Sequence, residues 1–296
     1  MASLISLSSK AVAKYLIAGC YKHLDSSLGE PLSDKVFDEV ATYKHKVSNF
    51  RSSVSSIIAK QSGLKLNLTR FDSYLFFVNR FDLENLYLHN IQSLDIDFGW
   101  FCGVTEYIIE YRGEKGILDA VRILKRCLNE KSRQNLKKLG IGRYLKLQEN
   151  WIEEVGKLFP NLRGFACRFE DEKHFERACK SFPNLFSFAS SYRNDLRGLC
   201  HLKNLQILIL DGSSVNSPEE LRELFELPNL RILKASFSQG FFENLLRCDG
   251  TFKNLQYIEC RQSDITETQF RALVGRHPSI KAIAALNKFQ LIRSVS

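Results

Sequence analysis

The sequence predicts an α/β repeat solenoid, and three observations carry that prediction. A unit of the form Asn-Leu-x-x-Leu-x-Leu recurs through the second half of the chain, prolines precede several of its copies, and amphipathic helical stretches fill the gaps. The unit starts at Asn135, Asn161, Asn184, Asn204, Asn229 and Asn254, and Ser279-Ile280 opens a further copy. Successive starts lie 26, 23, 20, 25, 25 and 25 residues apart, inside the span of about 20–29 residues that marks leucine-rich repeats. The expected fold is a leucine-rich-repeat solenoid, a horseshoe of parallel strands, preceded by a small N-terminal helical region.

From the N-terminus, residues 1–50 do not share the repeat pattern. Ser8 or Ser9 caps a predicted helix on which Val12, Leu16, Cys20 and Leu24 recur at four-residue steps, a spacing that keeps side chains on one slowly drifting stripe. After a break at Ser26 to Pro31, Ser33 is placed to cap a second helix, with Leu32 and Phe37 as a hydrophobic staple and Val36 and Val40 continuing its apolar stripe. Residues 51–130 are read as divergent repeats, with weak units at Leu83–Leu88 and Val104–Ile109. Residues 131–290 hold the regular repeats. There Pro160, Pro183, Pro228 and Pro278 stop the preceding helix and force the chain extended into the next strand. Ser217 to Phe225 is a representative helical stretch, with proline at its first position and acids near its positive end.

Strand alternation predicts which side chains leave the core. One outward row is Lys138, Gly164, Ser187, Ile207, Ile232, Tyr257 and Ala282. A second is Gly140, Ala166, Ala189, Ile209, Lys234, Glu259 and Ala284, and a third is Gly142, Arg168, Ser191, Asp211, Ser236, Arg261 and Leu286. Ile207, Ile209, Ile232 and Tyr257 thus form an apolar centre rimmed by Asp211, Lys234, Glu259 and Arg261, the anatomy of a protein–protein interface. These eight are the candidate substrate-binding residues, unless another part of the chain covers them.

Composition narrows the function. A net charge of +9 favours acidic partners. The densest basic stretch, Arg122 to Lys146, reads as a solvated helix face and turn, because no nucleic-acid motif or interleaved aromatic platform accompanies it. Eight scattered cysteines lack zinc spacing, and reduced thiols in the cytoplasm or nucleus are the expectation. Ile17-Ala18-Gly19-Cys20 has the form of a lipoprotein cleavage site, but Lys14 interrupts the apolar run such a site needs. Asn67-Leu68-Thr69 fits a glycosylation sequon, a pattern that recurs by chance. No stretch approaches the ~20 apolar residues of a membrane span. The six histidines show no metal or catalytic spacing, and no phosphate loop or nucleophile elbow occurs. No catalytic residue, metal or cofactor is expected.

One resemblance adds to this reading. Leu16-x-x-x-Cys20-x-x-x-Leu24 resembles the BC-box by which substrate receptors dock on elongin C, and Leu32 to Val40 resembles the cullin-2 box that follows it. Two boxes followed by leucine-rich repeats resemble the zyg-eleven family of cullin-2 ubiquitin-ligase substrate receptors. The resemblance implies elongin C contacts at Leu16, Cys20 and Leu24, and cullin contacts at Leu32, Ser33, Val36 and Val40. It also implies elongin B in the complex, and a protein substrate held on the solenoid for ubiquitination and degradation. Ser33 stands where the family's box has proline, and the sequence stops at Ser296, so the family's armadillo-like domain is not expected in it. An F-box-like Skp adaptor, or a repeat scaffold with no ligase link, remain alternatives.

Overall fold

The computed structural model describes residues 4–47, 54–73, 78–98, 105–112, 115–142, 146–169, 172–191 and 196–284. The chain divides into two compact units, Met1–Asn161 and Leu162–Ser296. The boundary expected near residue 131 therefore falls inside the first unit.

The first unit opens with α1 (Leu4–Ile17), β1 (Ser26–Leu28), α2 (Leu32–Val47), α3 (Val54–Gln61) and β2 (Leu64–Leu66), β1 pairing parallel with β2. α1 stops seven residues short of Leu24. The Gly19 N–H bonds the Leu16 carbonyl and the Cys20 N–H bonds the Tyr15 carbonyl, each at 3.0 Å, with Gly19 at φ +75°. That is the paired 5→2 and 6→1 bonding of a Schellman motif, and it ends the helix. α2 begins at Leu32, so Ser33 lies within its first turn rather than before it. The Ser33 hydroxyl donates to the Leu28 carbonyl and accepts from the Asn67 N–H. Asp34 accepts from the Thr69 N–H at 2.9 Å and the Thr69 hydroxyl at 2.6 Å. α2 is thereby laced to the next segment of chain.

Repeat strands follow as β3 (Arg70–Asp72), α4 (Arg80–Leu86) and β4 (Ser93–Asp97). Next come β5 (Ile108–Arg112), β6 (Lys115–Leu118), α5 (Ala120–Cys127), α6 (Glu130–Asn135), β7 (Lys138–Gly142), β8 (Lys146–Leu147) and α7 (Trp151–Leu158). β3, β4 and β7 pair parallel, while β5, β6 and β8 form a separate sheet in which β5 and β6 are antiparallel. Both weak units drawn from the sequence are corrected here. Leu83–Leu88 overlaps α4, which an Asn79–Asp82 capping box starts. The described part of Val104–Ile109 runs from a 3-10 turn into β5, outside the repeat sheet. The repeats instead start at Asn67-Leu68-x-x-Phe71 and Asn90-Ile91-x-x-Leu94-x-Ile96, whose strands are β3 and β4. Leu68, Phe71, Ile91, Leu94 and Ile96 are buried.

The second unit is more regular. It runs β9 (Gly164–Cys167), α8 (Glu172–Ser181), β10 (Ser187–Ser190), a 3-10 turn at Leu199–His201, and β11 (Ile207–Ile209). A 3-10 helix at Pro218–Glu226, β12 (Ile232–Lys234), α9 (Phe241–Arg247), β13 (Tyr257–Glu259), α10 (Glu267–Arg276) and β14 (Ala282–Ala284) complete it. The 3-10 form at Pro218–Glu226 replaces an expected α-helix, and the Ser217 hydroxyl makes no cap bond to its backbone. β9 to β14 form one in-register parallel sheet. Each strand start is tied to its neighbour by a shared carbonyl: the Gln206 oxygen accepts both the Arg231 and Ile232 N–H groups at 2.9 Å. The repeat asparagines stitch the next layer, since Asn229 and Asn254 amides donate to the Lys203 and Pro228 carbonyls at 2.8 and 2.7 Å. That bond favours asparagine at the start of these units.

Consensus leucines make the core. Leu205, Leu208, Leu230, Leu233 and Leu255 are buried, each worth roughly 1.5–3 kcal/mol of transfer free energy. Where phenylalanine replaces leucine the rings stack between repeats: Phe165 lies 4.6 Å from Phe182 and 6.1 Å from Phe188, and Phe175 lies 5.3 Å from Phe188. The described cysteines are all free thiols, and burial pushes Cys127 up to about 12 and Cys260 to about 11, so both pack as small hydrophobes.

Candidate protein-binding surface

The first predicted row appears across the second unit as Gly164, Ser187, Ile207, Ile232, Tyr257 and Ala282, each paired with the next. The second appears as Ala166, Ala189, Ile209, Lys234, Glu259 and Ala284. Ile207, Ile209, Ile232 and Tyr257 are half-buried, while the alternating Leu208, Leu233 and Ile258 are fully buried. The apolar centre is therefore one contiguous strip three strands wide.

Its charged rim is organised around one carboxylate. Glu259 accepts Lys234 at 2.8 Å and Arg261 at 2.9 Å. The Glu259 side chain is only 12% exposed, against 37% for Lys234 and 50% for Arg261, so the anion lies beneath and the cations face outward. Asp211 accepts the Ser236 N–H at 3.1 Å. The third row is corrected at Ser236, which is buried because its backbone continues the ladder, donating to Asp211 and accepting the Gly212 N–H at 2.8 Å. Leu286 lies outside the described residues.

The N-terminal candidates separate. Leu16 is buried on the inner face of α1 with Ser9 and Ala13, whereas Cys20 and Leu24 are exposed beyond the end of that helix. One helical stripe through all three does not form, because the Schellman turn at Gly19 redirects the chain. Gly63 lies close against the Tyr21–Leu24 turn that follows: a Cβ there would meet the Leu24 carbonyl at 2.1 Å. Beside the turn a cleft of about 170 Å³ opens between Leu16, Gly19, Lys22, Ile58 and Gln61. Ser33, Val36 and Val40 are buried and Leu32 half-buried, so this set packs α2 into its own unit. α1 carries a second apolar face that is open to solvent, with Leu4, Leu7 and Tyr15 exposed.

The basic stretch is a solvated face. Arg122 and Arg126 lie 5.6 and 5.9 Å from the Tyr107 ring centroid, Arg126 pairs with Glu106 at 3.4 Å, and Arg133 pairs with Glu130 at 2.6 Å. Arg143 lies outside the described residues. Two features escaped sequence reasoning. The first is a row of aspartates, Asp72, Asp95 and Asp97, on β3 and β4. Burial, helped by Asp72 and Asp97, pushes Asp95 up to about 6, and among the described residues no such group is arranged to hold a metal ion. The second is Phe237, exposed just past β12. No helix of the described residues is long and apolar enough to cross a membrane.

These repeats define the protein's class: an α/β leucine-rich-repeat solenoid. No family model matches the chain. Over 314 aligned residues it is 26% identical to Gastrulation-defective protein 3 of Caenorhabditis elegans, covering 99% of this chain and 41% of that protein. The chain thus spans less than half the length of the curated relative it matches. Among solved structures, an internalin C2 from Listeria monocytogenes is similar at a TM-score of 0.42 and 13% identity, over 83% of this chain and 92% of that one.

Proposed function

We propose that this chain is a non-catalytic adaptor that holds a partner protein on the outward face of the β9–β14 sheet. The observation that carries the proposal is the in-register strip of Ile207, Ile209, Ile232 and Tyr257 bounded by the Lys234–Glu259–Arg261 ion network. An apolar centre with a charged rim is what a partner desolvates on docking. The double variant Ile207→Asp with Tyr257→Ala should abolish partner capture without loss of folding; unchanged capture moves the site elsewhere.

The finer reading is that the N-terminal unit delivers this partner to a ubiquitin ligase through elongin C, elongin B and cullin-2, in the manner of the zyg-eleven receptors. Three things support it: the two boxes between Leu16 and Val40, the exposure of Cys20 and Leu24 beside an open cleft, and the nematode relative matched over nearly the whole chain. In this reading Leu16, Leu32, Ser33, Val36 and Val40 hold the helices in place, and Cys20 and Leu24 meet elongin C. Ubiquitin transfer belongs to a partner enzyme, and the expected setting is the cytoplasm or nucleus. Co-purification with elongins B and C should be lost on Cys20→Phe with Leu24→Asp, both exposed positions. Skp adaptor in place of elongin C would favour the F-box-like alternative. Neither adaptor nor any cullin in the wild-type complex leaves a repeat scaffold with no ligase link.

A further inference from the structure

Beyond β11, β12 and β13 the ladder continues into a left-handed turn. Gly212 (φ +73°), Phe237 (φ +58°) and Gln262 (φ +53°) occupy that turn in three successive repeats. Bonds from the Gly212 N–H to Ser236 O at 2.8 Å and from the Phe237 N–H to Arg261 O at 2.9 Å keep the three in register. A left-handed backbone is free of penalty for glycine and costs a side chain that carries a Cβ, above all a bulky one. Phe237 bears that cost while 60% exposed, more than any other large apolar residue of the described part of this unit. Packing gives no account of it, because the ring is in solvent. A strained residue held open at the rim of a binding face points to function.

The neighbourhood says what the ring would meet. Phe237 follows Lys234 by three residues, so it lies within roughly 10 Å of it along the chain. Gly212, one repeat earlier, offers no side chain at the matching turn position. The two rim cations stand more open than the nearly enclosed carboxylate they share, and the rim's other carboxylate, Asp211, already accepts the Ser236 N–H, so the outward-facing charge beside the aromatic group is positive. On the reading that this sheet face binds a partner protein, we infer that Phe237 is its aromatic anchor, clamping an acidic segment with apolar side chains against Lys234 and Arg261.

The test uses the full chain and a displayed library of random dodecapeptides. Selection should enrich sequences that combine Asp or Glu with aliphatic or aromatic residues. Binding of the enriched peptides should fall at least about tenfold in Phe237→Gly and in Phe237→Asn, which tolerates the same turn. Lysine in place of their acids should weaken binding by a similar factor. Thermal stability of Phe237→Gly should rise or stay level, and Gln262→Gly should leave binding unchanged. Peptides that lose affinity with Ile207→Asp but bind Phe237→Gly normally would overturn the anchor while sparing the sheet face. Basic consensus sequences overturn the acidic partner, and a fall in stability for both Phe237 variants makes the ring structural. Peptides indifferent to Ile207→Asp and Phe237→Gly alike, or no enrichment at all, overturn both readings.

Discussion

The outward rows of the two units follow the same strand alternation and carry different chemistry. In the first unit Asp72 pairs with Asp95 and Asp95 with Gly140, while Asp97 pairs with Gly142. In the second unit the comparable row is Ala166, Ala189, Ile209, Lys234, Glu259 and Ala284. One floor is acidic and partly closed, the other apolar and edged with open cations. The glycines of the first unit are there for room: a Cβ on Gly140 or Gly142 would lie 2.7 Å from the Asp95 or Asp97 carboxyl carbon. A repeat thus fixes where side chains point and leaves what they do to single substitutions.

That contrast can be broken most forcefully at Gly140. Gly140→Val should cost the first unit about 3 kcal/mol through overpacking against Asp95, while Ala166→Val, on a half-buried floor, should cost under about 1 kcal/mol. Urea unfolding of both variants checks the difference. Acid should separate the units next. Burial, assisted by Arg276, lowers His277 from 6.5 to about 4; the unfolded chain takes up that proton first, so its contribution is intact above about pH 6.5, is lost progressively as pH falls below that, and is gone once pH has passed through 4. The loss approaches roughly 3 kcal/mol. His89 behaves likewise in the first unit, but there Asp95 opposes it. Its folded value near 6 exceeds the ordinary 3.8, so its penalty is full above pH 6 and vanishes below 3.8. Amide exchange at pH 7.5 and 4.5 should therefore show the second unit loosened more than the first. Consistently, Asp95→Asn should stabilise the first unit by up to about 2 kcal/mol at pH 7.5 and by nothing at pH 3.5.

Much of this was legible in the sequence, and the limits have physical causes. Asn229 and Asn254 announced their strands because the asparagine amide there stitches neighbouring repeats, and alternation then gave the Ile207 and Ile209 rows. The same signal stood at Asn67 and Asn90. At Asn67 it coincides with a sequon pattern, and at Asn90 isoleucine replaces leucine. Leu83-x-x-Leu86-x-Leu88 imitated the pattern, but the capping box at Asn79 commits that stretch to helix. Gly19 ends α1, yet four-residue spacing through Leu16, Cys20 and Leu24 suggested continuation; a glycine just past a helical run was the stronger cue. The aspartate row arises only when β3 and β4 are brought side by side, a pairing no local pattern shows.

The smallest structural effect should accompany the largest functional one. Ile207→Asp, at a half-buried outward position, should change stability by about 0.5 kcal/mol or less while lowering partner affinity at least about tenfold.

The most direct measurement is site-specific photocrosslinking in cells, with benzoylphenylalanine in place of Tyr257 on the second unit's floor and, in parallel, in place of Phe81, an exposed aromatic of the first unit. The account predicts a discrete covalent adduct with a partner protein from position 257 and none from position 81. No adduct at 257, or equal adducts at both positions, would contradict it.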